Sequence, residues 1–174
     1  GQSGVTTNSS AIIGAFYGAT ATGNLNIYNS GSLSTLGATS YGIYGLNNGL
    51  GDNVITNLGD ITTLGQNSHG IYMIANGGDV SIVNTGNIVT SDAKGSYGAS
   101  TSGNTLVQAE NNITTGQTST TTHVHGIEAG SREGKSDVYY DNGTVKVVGD
   151  ARGTGNAIGI ASYDLGSAQG TVEA

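Results

Sequence analysis

SHGIYMIANGGDVSIVNTGNIVTSD, residues 68–92, holds the pattern that decides the fold. Apolar side chains recur at every second position in three short segments of this stretch, and glycine and asparagine separate the segments. A period of two places these apolar side chains on one face of a β-strand. The stretch therefore predicts three short strands joined by turns, which is one coil of a β-solenoid.

The same pattern recurs along the chain, and a glycine marks each unit. The marks Gly14, Gly42, Gly70, Gly98 and Gly126 are equally spaced, and Gly159 follows after a longer interval. A second mark, Asn-x-Gly-x-aliphatic-x-Thr, begins at Asn29, Asn57 and Asn84. A fixed period of roughly 20–50 residues is typical of solenoids. We therefore predict an all-β fold, a parallel β-helix with about 28 residues and three short strands per coil and about six coils.

Residues 1–174 are predicted to form a single β-solenoid domain. Its repeats lie near 11–35, 36–63, 64–90, 91–115, 116–147 and 148–174. An antiparallel β-sandwich also has short strands and frequent turns, but it does not predict equal spacing of one three-part pattern. The solenoid is therefore the favoured interpretation.

Equivalent residues of successive coils should stack in ladders, because each strand pairs with its counterpart one coil along. One inward ladder is predicted to contain Ala15, Ile43, Ile71, Ala99, Ile127 and Ile160. Another is predicted to contain Leu33, Ile61, Ile88, Ile113 and Val145. Asn29, Asn57 and Asn84 should line a turn, where their amides can bond along the stack.

Neighbours of the inward residues should point outward, because side chains alternate along a strand. One outward row is predicted to contain Phe16, Tyr44, Tyr72, Ser100 and Glu128. A further row, directly before the glycines, contains Ile13, Tyr41, His69, Tyr97 and His125. An exposed row of rings suits contact with a glycan or a protein, and stacking that only stiffens the sheet is the open alternative. For the histidines a stack is favoured over a metal site, since His69 and His125 lie two coils apart.

Composition limits the possible functions. The chain has 31 glycines, no proline and no cysteine, and only 10% of its residues are charged, against about 25% in typical domains. The net charge of −7 argues against nucleic-acid binding, and the lack of cysteine excludes disulfides and zinc–thiolate sites. The sequence contains no run of about 18 apolar residues, so it predicts no transmembrane helix. We expect neither a cofactor nor a bound metal.

The repeat resembles those of bacterial autotransporter passenger domains. The pieces S-x-G-I-x and V-x-I-x-N-x-G-x-I-x-T in residues 68–92 carry the resemblance, which extends over about residues 11–165. It implies a right-handed parallel β-helix that is extracellular or displayed on the bacterial outer-membrane surface. It also implies that the chain is a passenger fragment, and that adhesion or aggregation is its role.

Charge is concentrated between residues 128 and 152, in the part of the chain where the repeat is longest. A loop that departs from a regular rod is a common place for a binding function. The predicted partner-binding residues are Tyr44, Tyr72, Glu128, Arg132, Glu133, Lys135 and Asp137. Surface ion pairs without a binding role are the alternative for this segment.

The sequence supports three functional hypotheses. The first is a non-enzymatic, cell-surface or secreted adhesive module that binds a host-cell or bacterial surface protein or glycan. The second is a stalk or filament subunit that associates end to end through open solenoid ends. The third, a polysaccharide-active β-helix enzyme, would need paired carboxylates such as Asp137 and Asp141, and it is disfavoured because no second cluster supports them.

Overall fold

The computed structural model describes residues 10–116, 123–148, 156–166 and 170–174, and there the chain is an all-β parallel solenoid. Three parallel sheets run along the molecule, and each coil contributes one strand to each sheet. The described residues form five complete coils and two strands of a sixth. The predicted fold class is confirmed. Within these ranges no helix is present that could cross a bilayer.

The strands are short, and we number them in chain order. The first sheet contains β1 (Ile12–Phe16), β4 (Ile43–Asn47), β7 (Ile71–Ala75), β10 (Ser96–Ser100), β13 (His123–Ser131) and β16 (Asn156–Asp164). The second sheet contains β2 (Leu25–Asn29), β5 (Asn53–Asn57), β8 (Val80–Asn84), β11 (Thr105–Glu110), β14 (Ser136–Asp141) and β17 (Thr171–Glu173). The third sheet contains β3 (Leu33–Thr35), β6 (Ile61–Thr63), β9 (Ile88–Thr90), β12 (Ile113–Thr115) and β15 (Val145–Val147).

The core is a column of aliphatic side chains from all three sheets. In the third coil Ile71, Ile82 and Ile88 come from β7, β8 and β9, and each is completely buried. Burial of such a side chain contributes about 1.5–3 kcal/mol relative to leaving it in water. In the third sheet Leu33, Ile61, Ile88, Ile113 and Val145 pair in this order. That ladder is the one that the spacing predicts.

The inward ladder of the first sheet differs from the predicted one. Ile43 pairs with Ile12 instead of Ala15, and Ser96 instead of Ala99 lies between Ile71 and Ile127. The reason is unequal coil length. The first coil, from Ile12 to Ile43, is longer than the second, which moves Ile12 into the place predicted for Ala15. The third coil, from Ile71 to Ser96, is shorter than the second, and the fourth, from Ser96 to Ile127, is longer. The short third coil and the long fourth coil compensate each other. Ile127 therefore again occupies the position that the original period predicts, although Ser96 does not.

The glycine ladder shifts for the same reason. Gly95, not Gly98, follows Gly70, because the amides of Gly70 and Ile71 donate to the carbonyls of Lys94 and Gly95. Gly98 pairs with Met73 and Ala129 and is therefore not a member of this ladder. The ladder is restricted to glycine by close approach: a Cβ on Gly70 would lie 2.5 Å from the carbonyl oxygen of Gly95.

The asparagine ladder forms as the turn motif predicts. Asn29 Nδ2 donates to Asn57 Oδ1 at 2.7 Å, and Asn57 Nδ2 donates to Asn84 Oδ1 at 2.6 Å. Asn57 and Asn84 also donate to the carbonyls of Gly59 and Gly86 in their own turns. The amides thus satisfy buried polar groups within a coil and join successive coils at the same corner.

A second polar ladder, which the repeat motifs do not predict, lies at the entrance to the second sheet. Each Asx side chain there accepts a hydrogen bond from the backbone amide of its counterpart one coil along. The acceptors are Asn24, Asp52, Asp79 and Asn104, at distances of 2.7–3.0 Å to the amides of Asp52, Asp79, Asn104 and Lys135. These bonds fix the start of the second-sheet strands relative to one another.

Replacement of Asn57 by alanine tests the asparagine ladder. The change removes the acceptor for Asn29 and the donor for Asn84 from a fully buried corner. Because a buried polar group without its partner costs about 1–3 kcal/mol, we expect Asn57→Ala to lower the free energy of unfolding by about 2 kcal/mol or more. Urea unfolding followed by circular dichroism measures it. Asn26→Ala, at an exposed position of β2, is the control and should change it by less than about 0.5 kcal/mol; equal losses would contradict the role of the ladder.

Candidate functional site

The outward side of the first sheet carries a continuous aromatic surface, which we call the tyrosine face. It consists of Tyr41, Tyr44, His69, Tyr72 and Tyr97, all partly exposed. Alternation along β4, β7 and β10 points Tyr44, Tyr72 and Tyr97 away from the core, and they pair in this order across the sheet. Aliphatic Leu46 and Ile74 lie beside them on the same strands.

The outward row differs from the predicted one at two positions. Ile13, not Phe16, pairs with Tyr44, and Tyr97, not Ser100, lies between Tyr72 and Glu128. The short third coil moves Tyr97 from the predicted glycine-flanking row into the row of Tyr44 and Tyr72. Ser100 instead points inward and is buried.

The rings of the tyrosine face contact one another across coils. The centroids of Tyr44 and Tyr72 lie 5.9 Å apart with ring planes inclined by only 9°. Tyr72 also lies 5.0 Å from Tyr97 and 4.9 Å from His69, and Tyr41 lies 5.2 Å from Tyr72. Each such pair contributes about 0.5–1.5 kcal/mol beyond the burial of its area. The stack holds the rings in fixed positions and so forms a preorganised surface.

His69 is a neutral member of this stack. Its Nδ1 accepts a hydrogen bond from the backbone amide of Lys94 at 3.1 Å, so the ring proton resides on Nε2. Burial, reinforced by the charge of Lys94, lowers the pKa of His69 to about 4, although the charge of Glu128 acts in the opposite direction. At neutral pH the imidazole therefore behaves as an aromatic ring without charge.

An ionic cluster closes one end of the tyrosine face. Glu128 is only 7% exposed, and its Oε2 contacts Lys94 Nζ at 2.5 Å and His125 Nδ1. Lys94 Nζ also lies 4.0 Å from the centroid of the Tyr97 ring, within cation–π distance. Burial raises the pKa of Glu128, but hydrogen bonds from His125 and Lys94 and their charges outweigh it, so the pKa lies below the ordinary value.

Beyond this cluster the surface forms a groove of about 340 Å³, which we call the Arg132 groove. Ala99 and Gly130 form its floor, at the positions that Leu46 and Ile74 occupy in earlier coils. Side chains on its sides are Tyr97, Glu128, Arg132, Tyr163 and Leu165. The groove thus combines two aromatic rings with a guanidinium group.

A second groove, of about 280 Å³, lies at the opposite end of the tyrosine face. Ile13, Tyr17, Tyr41 and Tyr44 contribute to it. Ile13 pairs with Tyr44 from β1, so this groove lies on the side of Tyr44 that faces away from Tyr72. The aromatic surface therefore has an open depression at both ends, and together with these grooves it extends from the first to the sixth coil.

The predicted partner-binding residues fall in three places. Tyr44, Tyr72, Glu128 and Arg132 belong to the tyrosine face or the Arg132 groove. Lys135 and Asp137 form an ion pair of 3.0 Å at the start of β14 in the second sheet, and Asp141 ends that strand. Exposed Glu133 lies in the turn between the two sheets. Residues 149–152 of the charged segment lie outside the described residues.

Sequence reasoning did not place four residues of the site. The sequence pattern assigns no place to Lys94 and Tyr163. It puts Tyr41 and Tyr97 in the glycine-flanking row with Ile13, His69 and His125, whereas both rings lie against Tyr72. The signal that could have placed two of them is the glycine at position 95, since alignment of Gly95 with Gly70 puts Lys94 beside His69 and Tyr97 beside Tyr72.

No protein-family model, no curated protein and no solved structure matches the chain. The resemblance to autotransporter passenger repeats therefore rests on the repeat motifs alone.

Replacement of Glu128 by glutamine tests the ionic cluster. The change leaves the charge of Lys94 uncompensated in a mostly buried position, and we expect the free energy of unfolding to fall by about 1–3 kcal/mol, less than for a fully buried pair because Lys94 is partly solvated. Denaturant unfolding at pH 7 measures it. Lys135→Gln removes an exposed, solvent-screened ion pair and should cost clearly less than Glu128→Gln. The double variant Lys94→Met/Glu128→Gln should regain part of the loss; no difference between Glu128→Gln and Lys135→Gln would refute the role of the cluster.

The low pKa of His69 predicts a loss of stability in acid. The unfolded chain binds a proton at His69 below about pH 6.5, whereas the folded chain does so only near pH 4. The contribution of neutral His69 to the free energy of unfolding is therefore fully present above about pH 6.5. It is lost as the pH falls towards 4, by about 3 kcal/mol at most. An NMR titration of the imidazole resonances should show His69 still neutral at pH 5, with the urea-unfolded chain as reference. A midpoint above pH 6 in the folded chain would contradict the expectation.

Proposed function

We propose that this chain is a non-enzymatic adhesive module of a cell-surface or secreted protein, and that the tyrosine face binds its partner. The observation that carries the proposal is the contrast between this face, where rings contact one another across coils, and the outward side of the third sheet. The third sheet presents Ser34, Thr62, Val89, Thr114 and Lys146 at its outward positions. A contiguous surface of stacked aromatic and aliphatic side chains favours a contact surface.

Tyrosine is well suited to that role. Its ring contributes apolar area at a low cost in conformational entropy, and its hydroxyl group can bond to polar partners. The stack fixes the rings before a partner arrives, which reduces the entropy lost on binding. A bacterial or host-cell surface glycan or protein is the partner that this surface fits.

The electrostatics of the face favour binding over catalysis. Glu128 is the carboxylate on this surface, and its lowered pKa keeps it ionised at neutral pH, held by Lys94 and His125. A general acid needs a pKa near the working pH, so Glu128 is poorly suited to donate a proton. Its contacts instead stabilise the end of the aromatic surface.

The composition supports an extracellular site of action. Only 10% of residues are charged and cysteine is absent, so a surface of serine, threonine, asparagine and glycine covers the rod. The repeat motifs of residues 68–92 resemble those of autotransporter passengers, many of which act at the bacterial surface. Both features favour a displayed or released module.

Removal of two rings tests the proposal. In the double variant Tyr44→Thr/Tyr72→Thr the new residues retain β-propensity, so the sheet should persist while the aromatic surface is interrupted. We expect binding of the labelled protein to bacterial cells, cultured epithelial cells and a glycan array to fall at least 10-fold. Flow cytometry and array fluorescence measure it.

The matched control is Tyr28→Thr, which removes a 66% exposed ring from the outward side of β2. It should bind as the wild type does, and circular dichroism should show native structure for both variants. If the double variant and the control bind cells and glycans equally, the tyrosine face is not the contact surface.

A further inference from the structure

We propose that the Arg132 groove binds one carboxylated sugar residue of a glycan, such as a uronic or sialic acid. The inference rests on the proposed function, because the groove continues the tyrosine face. The ligand class, a carboxylated sugar, is assigned to the Arg132 groove alone. Three features of the groove, its floor, its aromatic sides and its charge, support this class.

The floor is open because small residues replace large ones. The outward row that runs through Leu46 and Ile74 continues with Ala99 and then Gly130. Gly130 is not required by packing: a Cβ there would meet Ala99 Cβ at 3.9 Å and the carbonyl oxygen of Tyr163 at 4.0 Å, both ordinary contacts. By contrast, a Cβ on Gly126 would lie 2.2 Å from Val145 Cγ1. The effect of glycine at position 130 is therefore to leave space on the outside of the sheet.

The sides of the groove carry two aromatic rings. Tyr97 belongs to the fourth coil and is held by Tyr72 and Lys94, while Tyr163 belongs to the sixth and lies 6.4 Å from the His125 ring. The two tyrosines lie two coils apart. Since each coil rises by about 4.8 Å, their positions are separated by about 10 Å along the rod. A volume of about 340 Å³ lies at the small end of ligand sites, which span roughly 300–1,000 Å³. This space suits a sugar ring more than an extended peptide.

The charge of the groove favours an anion. Lys94 and His125 hold the Glu128 carboxylate, so its charge is compensated at the edge of the groove. Arg132 is exposed, and within the described residues no carboxylate forms an ion pair with it; exposed Glu133 follows it in the turn. A guanidinium group binds a carboxylate through two parallel hydrogen bonds. The guanidinium of Arg132 is therefore the group in the groove that can bind an anion.

The experiment compares each acid with its own neutral ester. The probes are methyl glycosides of glucuronic, galacturonic and N-acetylneuraminic acid and the methyl esters of their carboxyl groups, titrated into the ¹⁵N-labelled chain. We expect at least one acid to bind 10-fold or more tightly than its ester. Amide shifts should be concentrated at Ala99, Gly130 and Arg132, and binding should weaken with added salt.

Two variants assign the effect to the groove. Arg132→Gln should remove the preference for the acid over its ester, whereas Lys146→Gln, which removes an exposed cation from the third sheet, should leave it unchanged. Gly130→Val should abolish binding of both forms by filling the floor. Native circular dichroism of Gly130→Val excludes loss of the fold as the cause.

The outcomes separate this inference from the proposed function. If no acid binds more tightly than its ester while cell binding still depends on Tyr44 and Tyr72, the sugar-acid assignment is overturned and the proposed function stands. If a capped hexaglutamate peptide binds as tightly as the best acid and depends equally on Arg132, the groove recognises acidic peptides and the sugar assignment fails. If the acid preference depends on Arg132 but the tyrosine variants bind cells normally, the groove acts without the tyrosine face.

Discussion

Hydrogen bonding from each coil to the next is the constraint on which the rest of the structure depends. Backbone amides bond to carbonyls of the neighbouring coil throughout the three sheets and at the corners between them, as where Gly70 and Ile71 bond to Lys94 and Gly95. The short axial spacing leaves no room for a side chain where Gly70 approaches Gly95. Each corner therefore requires a particular residue class, glycine at one and asparagine at another, and this requirement produces the repeat that the sequence shows.

The same constraint places equivalent residues of successive coils side by side, so that they form continuous surfaces. Because equivalent positions stack in register, a tyrosine in one coil lies against its counterpart in the next, and Tyr44, Tyr72 and Tyr97 become one aromatic surface. A change at one step alters that surface locally: Glu128 follows Tyr97 in the row and brings Lys94 and His125 into a compact ionic cluster. In the adjacent row, Gly130 follows Ala99 and opens a groove. Local chemistry on a solenoid thus reflects a departure from the repeat.

Most of the architecture could be predicted from the sequence. The alternation in residues 68–92 and its recurrence identify three parallel strands per coil, and the ladders of Ile61 with Ile88 and of Asn57 with Asn84 follow from the turn motif. Only part of the candidate site could be predicted in this way. The contact of Tyr44 with Tyr72 follows from the equal spacing of the glycine marks. The places of Lys94 and Tyr97 do not, because the third coil is shorter than that spacing.

By itself the sequence determined the strands, the parallel coil and the polar corners, since these depend on periodicity and on the few residue types that a tight turn or a buried ladder accepts. The tertiary structure alone decided the register of the fourth coil. A short coil and a long coil restore the original spacing between them, so Gly98 matches the period although Gly95 is the residue that packs against Gly70. The tertiary structure also decided that Glu128 is buried. Residue spacing gives no information on side-chain contacts between coils, and Glu128 pairs with Lys94 and His125 only once the coils are stacked.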